Sequence, residues 1–218
     1  MTVDIITLFP EIIEFVISRS VTGRAIKKKF LDIEYHQLRE FTDDRHKRVD
    51  GKPYGGGKGM LLKAEPIFKC FEFICNCRKI IPKLIYMSPK GKVLTQQKAK
   101  ELTNNSNICI LCGHYEGIDE RIITSIVNEQ ISIGEYVLTG GEIPALVLLD
   151  TMFRLVPGVL SDNECFEDES FYNGKTLEYP QYTRPYNWRE NKVPDVLLSG
   201  NHKEIKNWKT KNSDYDSE

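Results

Sequence analysis

The chain has 218 residues, 40% of them hydrophobic, and a formal net charge of -1, which is enough material for a buried core and suggests one folded domain with a smaller appendage. A near-neutral balance excludes a surface that coats nucleic acid indiscriminately, so any such site must be local. No apolar run approaches the roughly 18 residues of a membrane span, and the N-terminus lacks a basic-then-apolar leader pattern, so a cytoplasmic location is expected.

In chain order, Val3 to Leu8 reads as a strand, and Pro10 then opens a helix carrying Ile12, Ile13, Phe15 and Val16 at helical spacing. A second strand is expected over Leu31 to His36, and a helix starting at Pro66 has an apolar stripe of Ile67, Cys70, Phe71 and Ile74. Strands follow at Lys83 to Met87, Asn107 to Cys112 and Gln130 to Leu138. Helices separate them at Thr95 to Leu102 and Asp119 to Val127, and a long one closes the series from Ile143 to Leu155. This alternation predicts an α/β fold with a mainly parallel sheet covered on both faces. The pattern divides into a cofactor-binding domain over 1–160, an acidic, flexible linker over 161–175 and a small C-terminal lobe over 176–218 with one helix near Lys203 to Lys209.

The six cysteines of such a chain are expected as reduced thiols. Cys109 and Cys112 lie three apart in a strand pattern, where side chains face opposite ways, and Cys75 and Cys77 lack a second pair, so no metal site is expected.

Three strand patterns end in turn chemistry: Ser88-Pro89-Lys90-Gly91, Gly113-His114-Tyr115-Glu116-Gly117, and Gly134 followed by Gly140-Gly141. Bare peptide groups at such turns can approach a ligand closely, and convergent strand ends are where α/β proteins bind small molecules. The usual Gly-x-Gly after the first strand is absent, its place being taken by Phe9-Pro10-Glu11, so the commonest dinucleotide-type site is excluded. The stretch Arg39 to Met60 is a long charged loop ending in Gly55-Gly56-Gly57-Lys58-Gly59; it is not a phosphate-binding P-loop and fits a contact with RNA or another subunit better. Local basic clusters are Arg24 with Lys27 to Lys29, and Arg45 with Lys47 and Arg48. For His46 and His114, a structural hydrogen bond is the expected role.

Six motifs then occur in register: Phe41-Thr42-Asp43-Asp44-Arg45-His46, Pro53-Tyr54-Gly55-Gly56-Gly57, Gly113 to Arg121, Ser132 to Glu142, Tyr179-Pro180-Gln181-Tyr182-Thr183-Arg184-Pro185 and Leu198-Ser199-Gly200-Asn201-His202. Together they resemble the TrmD family of bacterial tRNA (guanine-N1)-methyltransferases in the SPOUT superfamily, over almost the whole chain. The resemblance implies a deep trefoil knot, an obligate homodimer, a shortened helical C-terminal domain that grips tRNA, and S-adenosyl-L-methionine as methyl donor to N1 of guanine 37. Carried over by position, the donor would be held by Tyr86, Ser88 and Pro89, by Gly113, Tyr115, Glu116 and Gly117, and by Ile133, Gly134, Glu135, Tyr136, Val137, Leu138, Gly140, Gly141 and Pro144. The tRNA would meet Arg24, Arg45, His46 and Arg184. Methylating N1 requires removal of its proton while charge moves onto O6, so the family pairs a linker carboxylate with an arginine. Arg154 matches the arginine. Alignment on Ser170-Phe171 puts Glu169 where the family usually has Asp, and Asp168 is the neighbouring candidate. The alternatives are a non-catalytic RNA-binding protein on the same fold and a SPOUT methyltransferase acting on ribosomal RNA; the Pro-Tyr-Gly-Gly-Gly and Tyr-Thr-Arg-Pro motifs disfavour the latter.

Overall fold

A computed structural model describes residues 1–160, 169–172, 174 and 176–213. The chain divides into two compact units, Met1–Ser161 and Asp162–Glu218. In the first, strands β1 (Thr2–Thr7), β2 (Asp32–Gln37), β5 (Lys83–Val93), β6 (Asn107–Cys112) and β7 (Glu129–Ser132) form one sheet in the order β2-β1-β6-β5-β7. Every neighbouring pair runs parallel.

Strand periodicity explains the two-sided core. Ile5, Ile85, Ile110 and Cys112 face one side, where they pack with helices α1 (Pro10–Ile17), α2 (Ser20–Lys27), α4 (Gln96–Leu102) and α6 (Glu142–Phe153). Ile6, Tyr86, Cys109 and Leu111 face the other, against α3 (Ala64–Arg78) and α5 (Glu120–Ser125). Cys109 and Cys112 therefore sit on opposite faces, as their spacing requires.

Several bounds differ from the sequence pattern for physical reasons. Helix α3 starts at Ala64 and takes Pro66 into its first turn, where a missing N–H costs nothing. Helix α2 is short and polar on average; Ala25 and Ile26 pack its inner side on the core, and its Gly23 lies so close to the end of α1 that a Cβ would meet the Ser18 carbonyl oxygen at 2.0 Å. Strand β5 runs past Met87, bulging over 88–91 before Lys92 and Val93 rejoin β7. Strand β7 stops at Ser132, so the stretch to Leu138 is irregular. Within the charged loop, residues 50–51 (β3) and 61–62 (β4) pair antiparallel.

The second unit contains a two-stranded hairpin, β8 (Asn187–Trp188) and β9 (Asn191–Lys192), and helix α7 (His202–Asn212). Asn201 caps α7 by accepting the Glu204 N–H at 3.3 Å, and Tyr182 packs on Trp208 at 6.3 Å between ring centres. Among the described residues no helix is long and apolar enough to cross a membrane.

A buried ion network fixes α3 to the sheet. Asp4 on β1 is 1% exposed and receives Nε and Nη2 of Arg78 at 3.0 and 3.1 Å, and it shares a hydrogen bond with His36 at 2.8 Å. Burial pushes the Asp4 carboxyl up, but the hydrogen bonds of His36 and Arg78 outweigh it and hold the group below its usual value. Removing one partner strands the other charge, so Arg78→Ala is expected to cost about 3 kcal/mol in chemical denaturation. Because the folded-state value is lowered, the carboxylate's contribution is complete above about pH 4 and fades as pH falls through the folded value. Acid unfolding of Asp4→Asn should therefore be less steep than that of the wild type at the same ionic strength.

Candidate ligand cavity at the strand ends

The bulge of β5 lies beside the carboxyl ends of β6 and β7 in the sheet, and a cavity of about 220 Å³ opens there. Its lining comes from β5 at and before its bulge (Tyr86, Ser88, Pro89, Lys90), from the turn after β6 (Gly113 to Gly117) and from the segment leading into α6 (Ile133, Gly134, Tyr136 to Gly141, Pro144). Every cofactor position read from the sequence lies on this lining except Glu135, which is exposed.

The crossing into α6 shapes the cavity. From the sheet's edge at β7 the chain travels back to the end of β6, where the Gly141 N–H donates to the Gly113 carbonyl at 2.8 Å and Gly140 bridges His114. A Cβ on Gly141 would lie 2.7 Å from Cys112 Cα and from the Gly113 nitrogen, so two backbones meet where no side chain fits. The opposite wall is braced by the charged loop: the Glu116 N–H donates to Met60 O, Leu62 N–H to Gly117 O, and Asp119 N–H to Leu62 O, each at 3.0 Å.

The cavity is apolar along Ile133, Leu138 and Pro144, while Lys90, Glu116 and Glu120 supply its charge, leaving an acidic excess. Burial raises the Tyr86 phenol to about 12, with Glu120 adding to the shift, so this hydroxyl stays protonated and able to donate. Such a surface suits a ligand with flat apolar parts, several hydrogen-bonding edges and positive charge.

Of the remaining sequence-derived residues, Arg24, Arg45, His46 and Arg154 belong to the first unit and are not among the lining residues. Arg154 caps the C-terminal end of α6 and is half-buried. Glu169 is half-buried in the second unit, its carbonyl accepting the Tyr172 N–H, and Asp168 falls outside the described residues. Arg24 is exposed on α2, and Arg184 is exposed in the second unit. Arg45 and His46 project from a turn organised by Asp44, whose Oδ1 accepts the backbone N–H groups of His46 and Arg48 at 2.7 and 3.3 Å. The His46 N–H, then Arg48, bring the Asp44 carboxyl down to about 2. Arg48 thus answers Asp44, while Arg45 stays available to a partner.

Sequence reading assigned no role to Glu142 or Thr7. Glu142, the first residue of α6, accepts from the Thr7 hydroxyl and shares a hydrogen bond with His114, a lining residue, at 2.5 and 2.7 Å. Thr7 and Glu142 are 135 positions apart, a separation no local pattern signals. His114 does make the structural hydrogen bond expected of it.

Gly141→Ala should force the Cys112–Gly113 backbone away and cost about 1–3 kcal/mol, the scale of core overpacking. Thermal unfolding followed by circular dichroism measures this. An unshifted midpoint would show that the two backbones separate freely.

Comparison with known proteins extends these observations. The family model described as tRNA (Guanine-1)-methyltransferase TrmD matches residues 1–217. The chain is 52% identical over 213 residues to a tRNA (guanine-N(1)-)-methyltransferase of Ruminiclostridium cellulolyticum, covering 98% of this chain and 91% of the relative. It is 49% identical to proteins of the same name from Clostridioides difficile and Vibrio vulnificus, again over 98% of this chain and over 92% and 85% of theirs. With the glycine-edged cavity and a match from end to end, the chain belongs to the tRNA (guanine-1)-methyltransferase family TrmD.

Proposed function

We propose that this methyltransferase moves a methyl group from S-adenosyl-L-methionine to N1 of guanine 37 in the anticodon loop of tRNA, working as a cytoplasmic homodimer. The observation that carries the reading is the cavity at the three strand ends, with its glycine crossing, apolar walls and acidic rim. When bound, the donor supplies an electrophilic methyl group on a positively charged sulfonium. Glu116 and Glu120 fit that charge, and Ile133, Leu138 and Pro144 fit a flat ring.

Neutral guanine holds a proton on N1 and cannot act as a nucleophile there until it is removed. A carboxylate of the 168–169 segment takes this proton, and we assign the role to Glu169, with Asp168 as the neighbouring candidate. The Arg154 guanidinium meets the negative charge that moves onto O6. Arg24, Arg45, His46 and Arg184 contact the tRNA, the arginines through its phosphates.

The dimer reading is supported by an uncovered apolar face. Helices α1 and α6 pack together, yet Phe15 is 62% exposed, Ile143 52% and Val16 49%. A helix that is apolar on both its inner and outer sides normally has something against each. A second copy is the proposed cover, joined isologously. We further propose that the return from edge strand β7 to the end of β6 completes the trefoil knot.

Methyl transfer from labelled donor to unmodified tRNA transcripts tests the activity: guanine at position 37 should accept label and adenine should not. Glu169→Gln keeps size and removes basicity, so single-turnover rates should fall ~100-fold or more, the scale of losing a general base, with Asp168→Asn mild. The reverse ranking would give Asp168 the role, and two mild effects would place the base outside this segment. Phe15→Glu should convert a dimer to a monomer in analytical ultracentrifugation; an active wild-type monomer would contradict the dimer reading.

A further inference from the structure

Beneath the cavity lies a buried polar chain that the apolar core around it does not require. Glu142 is 3% exposed and Thr7 is fully buried, among neighbours such as Ala145, Leu148 and Cys112. The Thr7 hydroxyl oxygen accepts the Phe9 N–H at 3.0 Å, so its own proton is directed to Glu142 Oε1 at 2.5 Å. Glu142 Oε2 shares a hydrogen bond with His114 Nε2 at 2.7 Å. Both carboxylate oxygens are thereby engaged, by the last residue of β1 and by the second residue after β6. A carboxylate kept from water is costly unless fully hydrogen-bonded, and an apolar residue of similar size would avoid the cost.

What the chain does hold is the height of the crossing segment. The His114 ring stands in the cavity lining, edge-on to Phe9 at 5.1 Å between ring centres, and Gly140 lies against its Cε1–Nε2 edge. The approach is so close that a Cβ on Gly140 would meet His114 Cε1 and Nε2 at 2.4 Å and Glu142 Oε2 at 2.7 Å. Rotating or lowering the ring would move Gly140, and with it the wall formed by Tyr136 to Thr139. We propose that Thr7, Glu142 and His114 are positioning residues: together they set the crossing segment over the cavity and thereby the affinity for the methyl donor. This rests on reading the cavity as the donor site. Thr7 itself does not line the cavity, so its influence must pass through the chain.

Thr7→Val keeps the branched shape but puts a methyl in place of the hydroxyl, losing both the bond to Glu142 and the acceptor of the Phe9 N–H, whereas Thr7→Ser keeps both, and Glu142→Gln replaces the carboxylate acceptor. Calorimetry with S-adenosyl-L-methionine should show affinity falling ~10-fold in Thr7→Val and Glu142→Gln, the scale of one hydrogen bond to a charged acceptor. Thr7→Ser should return to within about twofold of wild type. In turnover assays the loss should fall on the KM for the donor rather than on kcat, because none of the three residues is placed at the guanine. Without ligand, the Gly141 amide, bonded to Gly113 O, should exchange faster in Thr7→Val than in Thr7→Ser. A folded Thr7→Val with wild-type exchange and wild-type donor affinity would overturn the proposal, as would a fall in kcat with KM unchanged. A wild-type chain that binds no donor would instead remove the reading of the cavity, while the Gly141 exchange rates would still decide whether the chain tethers the segment.

Discussion

The approach of Gly141 to the Cys112–Gly113 backbone is the constraint on which the arrangement around it depends. Strand β7 lies at the edge of the sheet, two strands away from β6, so the chain must travel back past β5 before α6 can begin. It can settle on β6 only if nothing projects from Gly141 toward the Cys112–Gly113 backbone, while Gly140 leaves room for the His114 ring and Gly113 for the Tyr86 ring. The cavity is the space enclosed by that return path. It is therefore a product of the chain's route, and substitutions that shift the route alter the cavity without touching its lining.

Two buried carboxylates act on opposite faces of β1, and they are satisfied differently. Asp4 is met by a guanidinium and a histidine, and Arg78 also reaches Asp32 and Glu34 at 3.2 and 3.6 Å, so this network joins α3 to the edge of the sheet. Glu142 has a hydroxyl and an imidazole, and no Lys or Arg among the described residues forms an ion pair with it. The first arrangement gives a strong electrostatic clamp far from the cavity lining. The second gives directional hydrogen bonds at the lining, where small displacements matter to a ligand more than net attraction does.

Much of this was legible in the sequence because it follows from local rules. Alternation placed the strands, and Cys109 and Cys112 on opposite faces followed from a period of two. Gly-rich and Pro-containing turns marked the three strand ends that line the cavity. What local rules could not give is tertiary. Helix α2 carries a polar, glycine-containing sequence, and Ala25 and Ile26 pack its inner side on the core. Strand β5 continues beyond its bulge because β7 offers a second stretch of pairing. Glu142 looked like an ordinary acidic residue in the first turn of a helix, favourable there for its dipole alone, and only the fold brings Thr7 and His114 to it. Glu135 has the reverse character: it sits inside a motif whose neighbours line the cavity, yet it faces outward.

The cavity lining runs from Tyr86 to Pro144 and lies wholly within the first compact unit, whereas Glu169 lies in the second. In the proposed reaction, donor binding and proton removal are therefore tasks of different units. Separating them has a chemical consequence. The proposed donor's sulfonium methyl is electrophilic, while guanine N1 becomes nucleophilic only after losing its proton. In that reaction the donor is held by residues of the first unit alone, and the base acts once tRNA supplies the guanine. Under the proposed reaction, proton removal belongs to the substrate-bound assembly, where Arg154 would meet the charge on O6. The proposed chemistry would thus impose selectivity for the nucleotide at the deprotonation step and leave donor affinity to the crossing segment and the residues that hold it.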